Sequence, residues 1–111
     1  MKLSSEYVAG LVDGEGCFRI VKPTNTSHYP YGRFMMGFTE KDSFILQSLK
    51  KKYGGSIHIN KKSGYKDVLI WFLDAQKKLL YFIDDLLPFL ILKKDKALEI
   101  RSKMLEGGEA I

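Results

Sequence analysis

The 111-residue chain contains one cysteine, Cys17, so no internal disulfide can form and nothing points to an oxidising compartment. It has two histidines and no Cys/His cluster, which argues against structural zinc. No apolar run is long enough to cross a bilayer, and no basic region followed by an apolar signal core opens the chain. The expectation is an intracellular protein with no membrane partner. In that setting the sequon Asn25-Thr26-Ser27 is a chance match.

What the chain does have is 45% hydrophobic and 13% aromatic residues, enough to build a core within one domain. The net charge of +5 suits a polyanionic partner. A modest lysine excess is also common on soluble proteins, so charge alone does not select nucleic acid.

Hydrophobic periodicity gives an order of elements. Ser4 and Ser5 precede an apolar stretch and mark a helix start, with a helix over about 5–14. On its wheel Leu3, Tyr7, Gly10 and Gly14 share one face and Val8 and Val12 lie on another, so the helix has two faces to bury. Residues 17–22 alternate, with Phe18 and Ile20 opposite Arg19 and Val21. Pro23 to Pro30 reads as a loop. A second strand over about 31–39 sends Phe34, Met36 and Phe38 one way and Tyr31, Arg33, Met35, Gly37 and Thr39 the other.

A helix over about 41–53 stops at Gly54-Gly55. Strand three, about 56–61, has Ile57 and Ile59 inward and leads into a turn at Lys62-Ser63-Gly64. Strand four, about 66–73, is apolar on both faces, which leaves its parity open. Helices over about 75–86 and 93–105 follow, separated by Pro88, and the glycine-containing end frays. The expected fold is α+β, αββαββα(α), with a four-stranded antiparallel sheet carrying helices on one face. The other face is left open. It would present Arg19, Tyr31, Arg33, Thr39, His58, Asn60 and Lys62, a mixture suited to reading a DNA major groove.

The most specific feature is the nonapeptide Val-Ala-Gly-Leu-Val-Asp-Gly-Glu-Gly at residues 8–16. An apolar helix with small residues at Gly10 and Gly14 ends on an acid between two glycines. This stretch resembles the signature of the LAGLIDADG homing endonucleases, and it occurs once. The resemblance covers nearly the whole chain and implies a site-specific, divalent-metal-dependent double-strand DNA endonuclease. One motif per chain implies a homodimer, and two-fold symmetry then implies a palindromic or near-palindromic target. The domain would span 1–105, with 106–111 as a tail.

The same resemblance assigns roles. Glu15 stands at the metal-binding acid of the motif, with the Gly14 carbonyl as a further ligand. Mg2+ or another divalent cation such as Mn2+ suits such hard oxygen donors. Phosphodiester hydrolysis gains from a cation that neutralises charge and activates water. Asp13 falls at the family's first acidic position, a structural place at the helix interface. Leu3, Tyr7, Gly10 and Gly14 would form the dimer contact, through a GxxxG spacing that permits close helix approach. Leu87 to Lys93 is similar to a family segment that ends in a lysine near the active site. Lys93 is therefore a third catalytic candidate beside Glu15 and Glu40, the last of which stands where the family often has Gln.

Each assignment has a plainer counterpart. Lys93 could be a solvated lysine at a helix start, and Glu40 a first-turn acid favoured by the helix dipole. DNA contacts would come from Arg19, Lys22, Tyr31, Arg33, Thr39, His58, Asn60, Lys62 and Lys66. His28 carries no specific signal, Trp71 reads as core, and Lys50-Lys51-Lys52 reaches phosphate only if it faces the cleft. The alternatives to an endonuclease are a non-cleaving regulator or RNA-splicing maturase on the same fold, a basic structural protein that merely dimerises, or one half of a two-repeat protein.

Overall fold

The computed structural model describes residues 2–22, 30–61 and 67–107. The 23–29 loop with His28 and the sequon, the Lys62-Ser63-Gly64 turn, Lys62, Lys66 and the extreme C-terminus lie outside the described residues. Helix α1 (Ser5–Glu15) is capped by the Ser4 hydroxyl, which accepts from the Tyr7 amide at 3.1 Å. Strand β1 (Gly16–Val21) begins at the very next residue. It is followed by β2 (Tyr31–Thr39), a 3-10 turn at Glu40–Asp42, α2 (Phe44–Tyr53), β3 (Ser56–Asn60), β4 (Val68–Leu73), α3 (Gln76–Leu86) and α4 (Lys94–Gly107).

The expected α+β order is present, with shifted boundaries. The second helix starts at Phe44 rather than near 41, because Glu40–Asp42 winds as a tighter 3-10 turn. The last helix continues past 105 to Gly107.

All strands pair antiparallel in the order β1-β2-β4-β3, so two hairpins meet along β2 and β4. The register settles the parity of the apolar fourth strand. Trp71 and Leu73 are fully buried on the helical side, and Val68, Ile70 and Phe72 stand on the open face. Ile57 packs against the core, but Ile59 is 59% exposed. It has the inward parity at the far end of the edge strand, where no helix covers it.

Under the helices an aromatic cluster locks the sheet. Phe82 lies 4.9 Å from Phe34, 5.5 Å from Trp71 and 4.8 Å from Tyr53 between ring centroids. Such pairs add about 0.5–1.5 kcal/mol each beyond area burial. Trp71 has a polar partner as well, its indole donating to the Gly54 carbonyl at 2.8 Å.

Three polar or steric devices fix the helices to this core. Asp85 Oδ2 on α3 accepts from Ser5 at 2.9 Å and from Tyr53 at 2.6 Å, tying α1, α2 and α3 to one oxygen. Gly32 gives α4 its seat, since a Cβ there would lie 2.8 Å from Ile100 Cγ2. The Gln76 amide pairs with both the N–H and the C=O of Gly32, at 3.0 and 2.9 Å, extending the ladder where β4 no longer reaches. Leu3, expected at the dimer contact, is 7% exposed and belongs to the subunit's own core. It precedes α1, so the wheel that grouped it with Tyr7 and Gly10 does not apply to it. Among the described residues no helix is long and apolar enough to cross a membrane.

Two stability predictions follow from these contacts. Gly16→Ala would drive a Cβ to 2.7 Å from the Phe34 ring and 2.9 Å from the Val12 carbonyl. It should cost about 1–3 kcal/mol, read as a lower urea midpoint at unchanged slope. Burial, and then the hydrogen bond to Asp85, hold the Tyr53 phenol protonated far above the usual tyrosine range. A folded-state pKa raised in this way contributes stability below about pH 10 that is lost as pH climbs further. The stability advantage of wild type over Tyr53→Phe should therefore hold up to about pH 9 and shrink from about pH 10 upward; a constant difference up to about pH 11 would contradict this.

Candidate active site and nucleic-acid interface

The direct passage from α1 into β1 sets the site. Glu15 is the last helical residue, exposed, with no hydrogen bond or ion pair among the described residues. The last turn of α1 carries Asp13 and Glu15 and no basic residue, and the negative end of the helix dipole adds to both. This is an electronegative tip with hard oxygen donors, the Glu15 carboxylate and the terminal carbonyls that include Gly14. It fits a hard divalent cation better than a soft one. Among the described residues of one chain, no three His, Cys, Asp or Glu side chains converge as a metal cluster. Any cation at Glu15 must take further ligands from backbone, water, DNA phosphate or a second chain.

Lys93 is fastened to the same tip. Its Nζ donates to the Gly16 carbonyl at 2.8 Å and its backbone N–H donates to Asp13 Oδ1 at 2.9 Å. The other Asp13 oxygen accepts from the Ile91 N–H at 2.9 Å. One carboxylate thus holds residues 91–93 against the end of α1 and anchors the start of α4. Sequence reasoning set Asp13 aside as structural at a helix interface. Its contact is structural, but it lies within the subunit and it positions Lys93. No local signal could show this, because Asp13 and Lys93 are 80 residues apart.

Glu40 is exposed in the 3-10 turn after β2, its amide donating to Asp67 at 3.3 Å. Gly16 pairs with Met36 and β2 ends at Thr39, so Glu40 and Glu15 share one end of the sheet.

The open face carries Arg19, Tyr31, Arg33, Thr39, His58 and Asn60, all exposed or half-buried. Lys22, exposed just past β1, is not grouped with them: it lines a hollow at the sheet edge with Lys96, Glu99 and Lys103 of α4. Arg33 leans over Tyr31 and Phe72, 5.9 and 5.8 Å from their centroids, and meets Tyr31 and Asp74 at 3.4 Å. Its Nε is buried without a partner. These are long contacts that a base acceptor can replace. His58 meets Ser56 at 3.1 Å and stacks edgewise on Phe72. Phe72 and Asp74 were missed in the sequence, because the doubly apolar fourth strand gave no parity; Ser56 has the same parity on β3 as His58 and Asn60, so that alternation could have found it. Tyr7, Gly10 and Gly14 are exposed, and a Cβ at either glycine would meet nothing within 4 Å. Lys50–Lys52 sit on the helical layer, where Lys52 donates to the Leu3 carbonyl, and do not reach the open face.

Removing the Asp13 clasp by Asp13→Ala should cost about 1.5–3 kcal/mol, the range for hydrogen bonds to a charged group. It should also raise amide hydrogen exchange selectively at Ile91 and Lys93; unchanged protection there would show that the segment is held otherwise.

Solved structures share this arrangement. The homing endonuclease I-TnaI superposes with a TM-score of 0.75 at 25% identity, covering 100% of this chain and 80% of that one. I-SmaMI, described as a LAGLIDADG homing endonuclease bound to cleaved DNA, gives a TM-score of 0.72 at 30% identity, with 97% of this chain matching 38% of that one. I-CvuI, in complex with the I-CreI target, shares the fold at a TM-score of 0.73 and 21% identity, over 95% and 68% of the two chains. No functionally curated protein matches by sequence. The family profile described as LAGLIDADG endonuclease matches residues 8–101, from the α1 motif into α4, and the chain belongs to that family.

Proposed function

We propose that two copies of the chain pair through α1 and act as a site-specific, divalent-cation-dependent double-strand DNA endonuclease. The observation that carries this reading is the free Glu15 carboxylate at the tip of a helix whose Gly10–Gly14 face is open. Pairing along that face brings two Glu15 residues together at the symmetry axis. Ile91 and Leu92, 80% and 78% exposed beside the Asp13 clasp, enlarge the apolar surface a second copy can cover. The I-SmaMI match fits the same geometry, since 38% of that longer chain leaves room for a second unit of equal size.

In this arrangement the open sheet faces lie in the major groove, one per half-site, and the target is palindromic or nearly so. Arg19, Arg33, His58 and Asn60 supply hydrogen bonds to base edges, and Lys22 to the backbone. Lys62 and Lys66 are further backbone candidates. Glu15 and the Gly14 carbonyl hold the cation, magnesium or manganese by donor hardness, which supplies charge neutralisation and water activation. Lys93, fixed by Asp13 and Gly16, stabilises negative charge developing on the phosphate as its P–O bond breaks. Glu40 orients water from the same end of the sheet.

Glu15→Ala should lower plasmid cleavage in magnesium on the order of a hundredfold or more while DNA affinity stays within a few-fold. Wild-type cleavage by this variant would remove Glu15 from the chemistry. Gly10→Leu should sediment as a monomer and fail to cut both strands. Binding without any cleavage by the wild-type chain would instead favour a regulator or maturase.

A further inference from the structure

The open face is not chemically uniform. Its polar side chains lie on β3 and toward the ends of β1, β2 and β4 remote from Glu15, with Thr39, opposite Val68, the exception on β2. The corner next to Glu15 is different. There a shallow depression of about 220 Å3 has Glu15, Cys17, Met35, Gly37, Val68 and Ile70 among its lining residues. Among the described residues lining it, the one polar side-chain group besides the Glu15 carboxylate is the Cys17 thiol, a weak donor. Gly37 forms the floor. A Cβ there would come to 3.3 Å from Val68 Cγ1 and 3.4 Å from Ile70 Cγ1, so the missing side chain is what leaves the space. Gly37 pairs directly with Ile70, and Met35 with Phe72, which fixes the walls by strand register. The neighbouring hollow shares Ile70 and is mixed, with Ile59 and Phe72 beside the hydrogen-bonding side chains of Arg33, His58, Asn60 and Asp74.

We propose that this depression reads the 5-methyl group of thymine at the base pairs nearest the scissile phosphates. The inference deepens the function proposed above and rests on its placement of the open face in the major groove with Glu15 at the cut. Adenine, guanine and cytosine offer the groove only hydrogen-bonding groups, which Met35, Val68 and Ile70 leave unpaired. Thymine alone offers a methyl group, and burying it against these side chains is favourable. Recognition is then by hydrogen bonds over most of the half-site and by methyl contact beside the cleavage point.

The test is selection of targets from a random duplex library by the wild-type homodimer, with divalent cation withheld so that binding is read apart from cleavage. Thymine should be enriched at the base pairs flanking the cut. Replacing those thymines with deoxyuridine should weaken binding about fourfold per methyl. At the same positions 5-methylcytosine should bind better than cytosine by a similar factor. Ile70→Gln should abolish the distinction between thymine and deoxyuridine. Should that variant not fold, the base-analogue comparison on wild type decides alone. Sequence-selective binding with no thymine enrichment, or with deoxyuridine equal to thymine within about twofold, overturns the proposal and leaves the sheet as the reading surface. Absence of any sequence-selective DNA binding overturns both.

Discussion

The site depends on a steric constraint at Gly16. Helix α1 passes into β1 without a connecting residue, so the first strand residue sits directly on the Phe34 ring and under the Val12 carbonyl. Only a residue without Cβ fits there. The constraint fixes the direction in which α1 leaves the sheet, and with it the position of Glu15. The same residue's carbonyl receives Lys93, and Asp13, one helical turn back, holds the backbone of the segment that carries Lys93. A packing requirement and a reciprocal hydrogen-bond clasp therefore bring together groups separated by most of the chain.

The molecule divides its labour by layer. The helical side supplies stability through the aromatic cluster and the shared Asp85 oxygen, which Ser5 and Tyr53 both reach. The open side has few such ties. Arg33, the most engaged side chain there, is held only by long contacts and ring faces. Side chains held loosely can be redirected to a base edge at small cost, whereas those in the helical layer cannot move without breaking the core. The same division explains why the three glycines of the motif behave differently. Gly16 is pressed against its own subunit, while Gly10 and Gly14 face open space suited to a second helix.

How far the site could be read in advance depended on range. The motif located Glu15 and the two open glycines, because those residues lie within one helix and obey its period. The alternation of β1 and β2 put Arg19, Tyr31 and Arg33 on one face correctly. Strand four gave no alternation, so Phe72 beneath Arg33 and His58, and the apolar corner formed by Ile70 and Val68, were not legible. Leu3 was assigned to a partner because its spacing matched the helix wheel, but the helix begins only at Ser5 and Leu3 turns into the core.

By itself the sequence determined the order of elements, the family motif, the helix cap at Ser4 and the charge suited to a polyanion. These follow from local chemistry: periodicity, capping and turn residues act over a few positions. Tertiary structure alone decided the parity of β4, the clasp between Asp13 and Lys93 and the apolar corner floored by Gly37. Each of these depends on which strand or loop lies opposite, and strand register and long-range hydrogen bonds leave no periodic trace in the residues that make them.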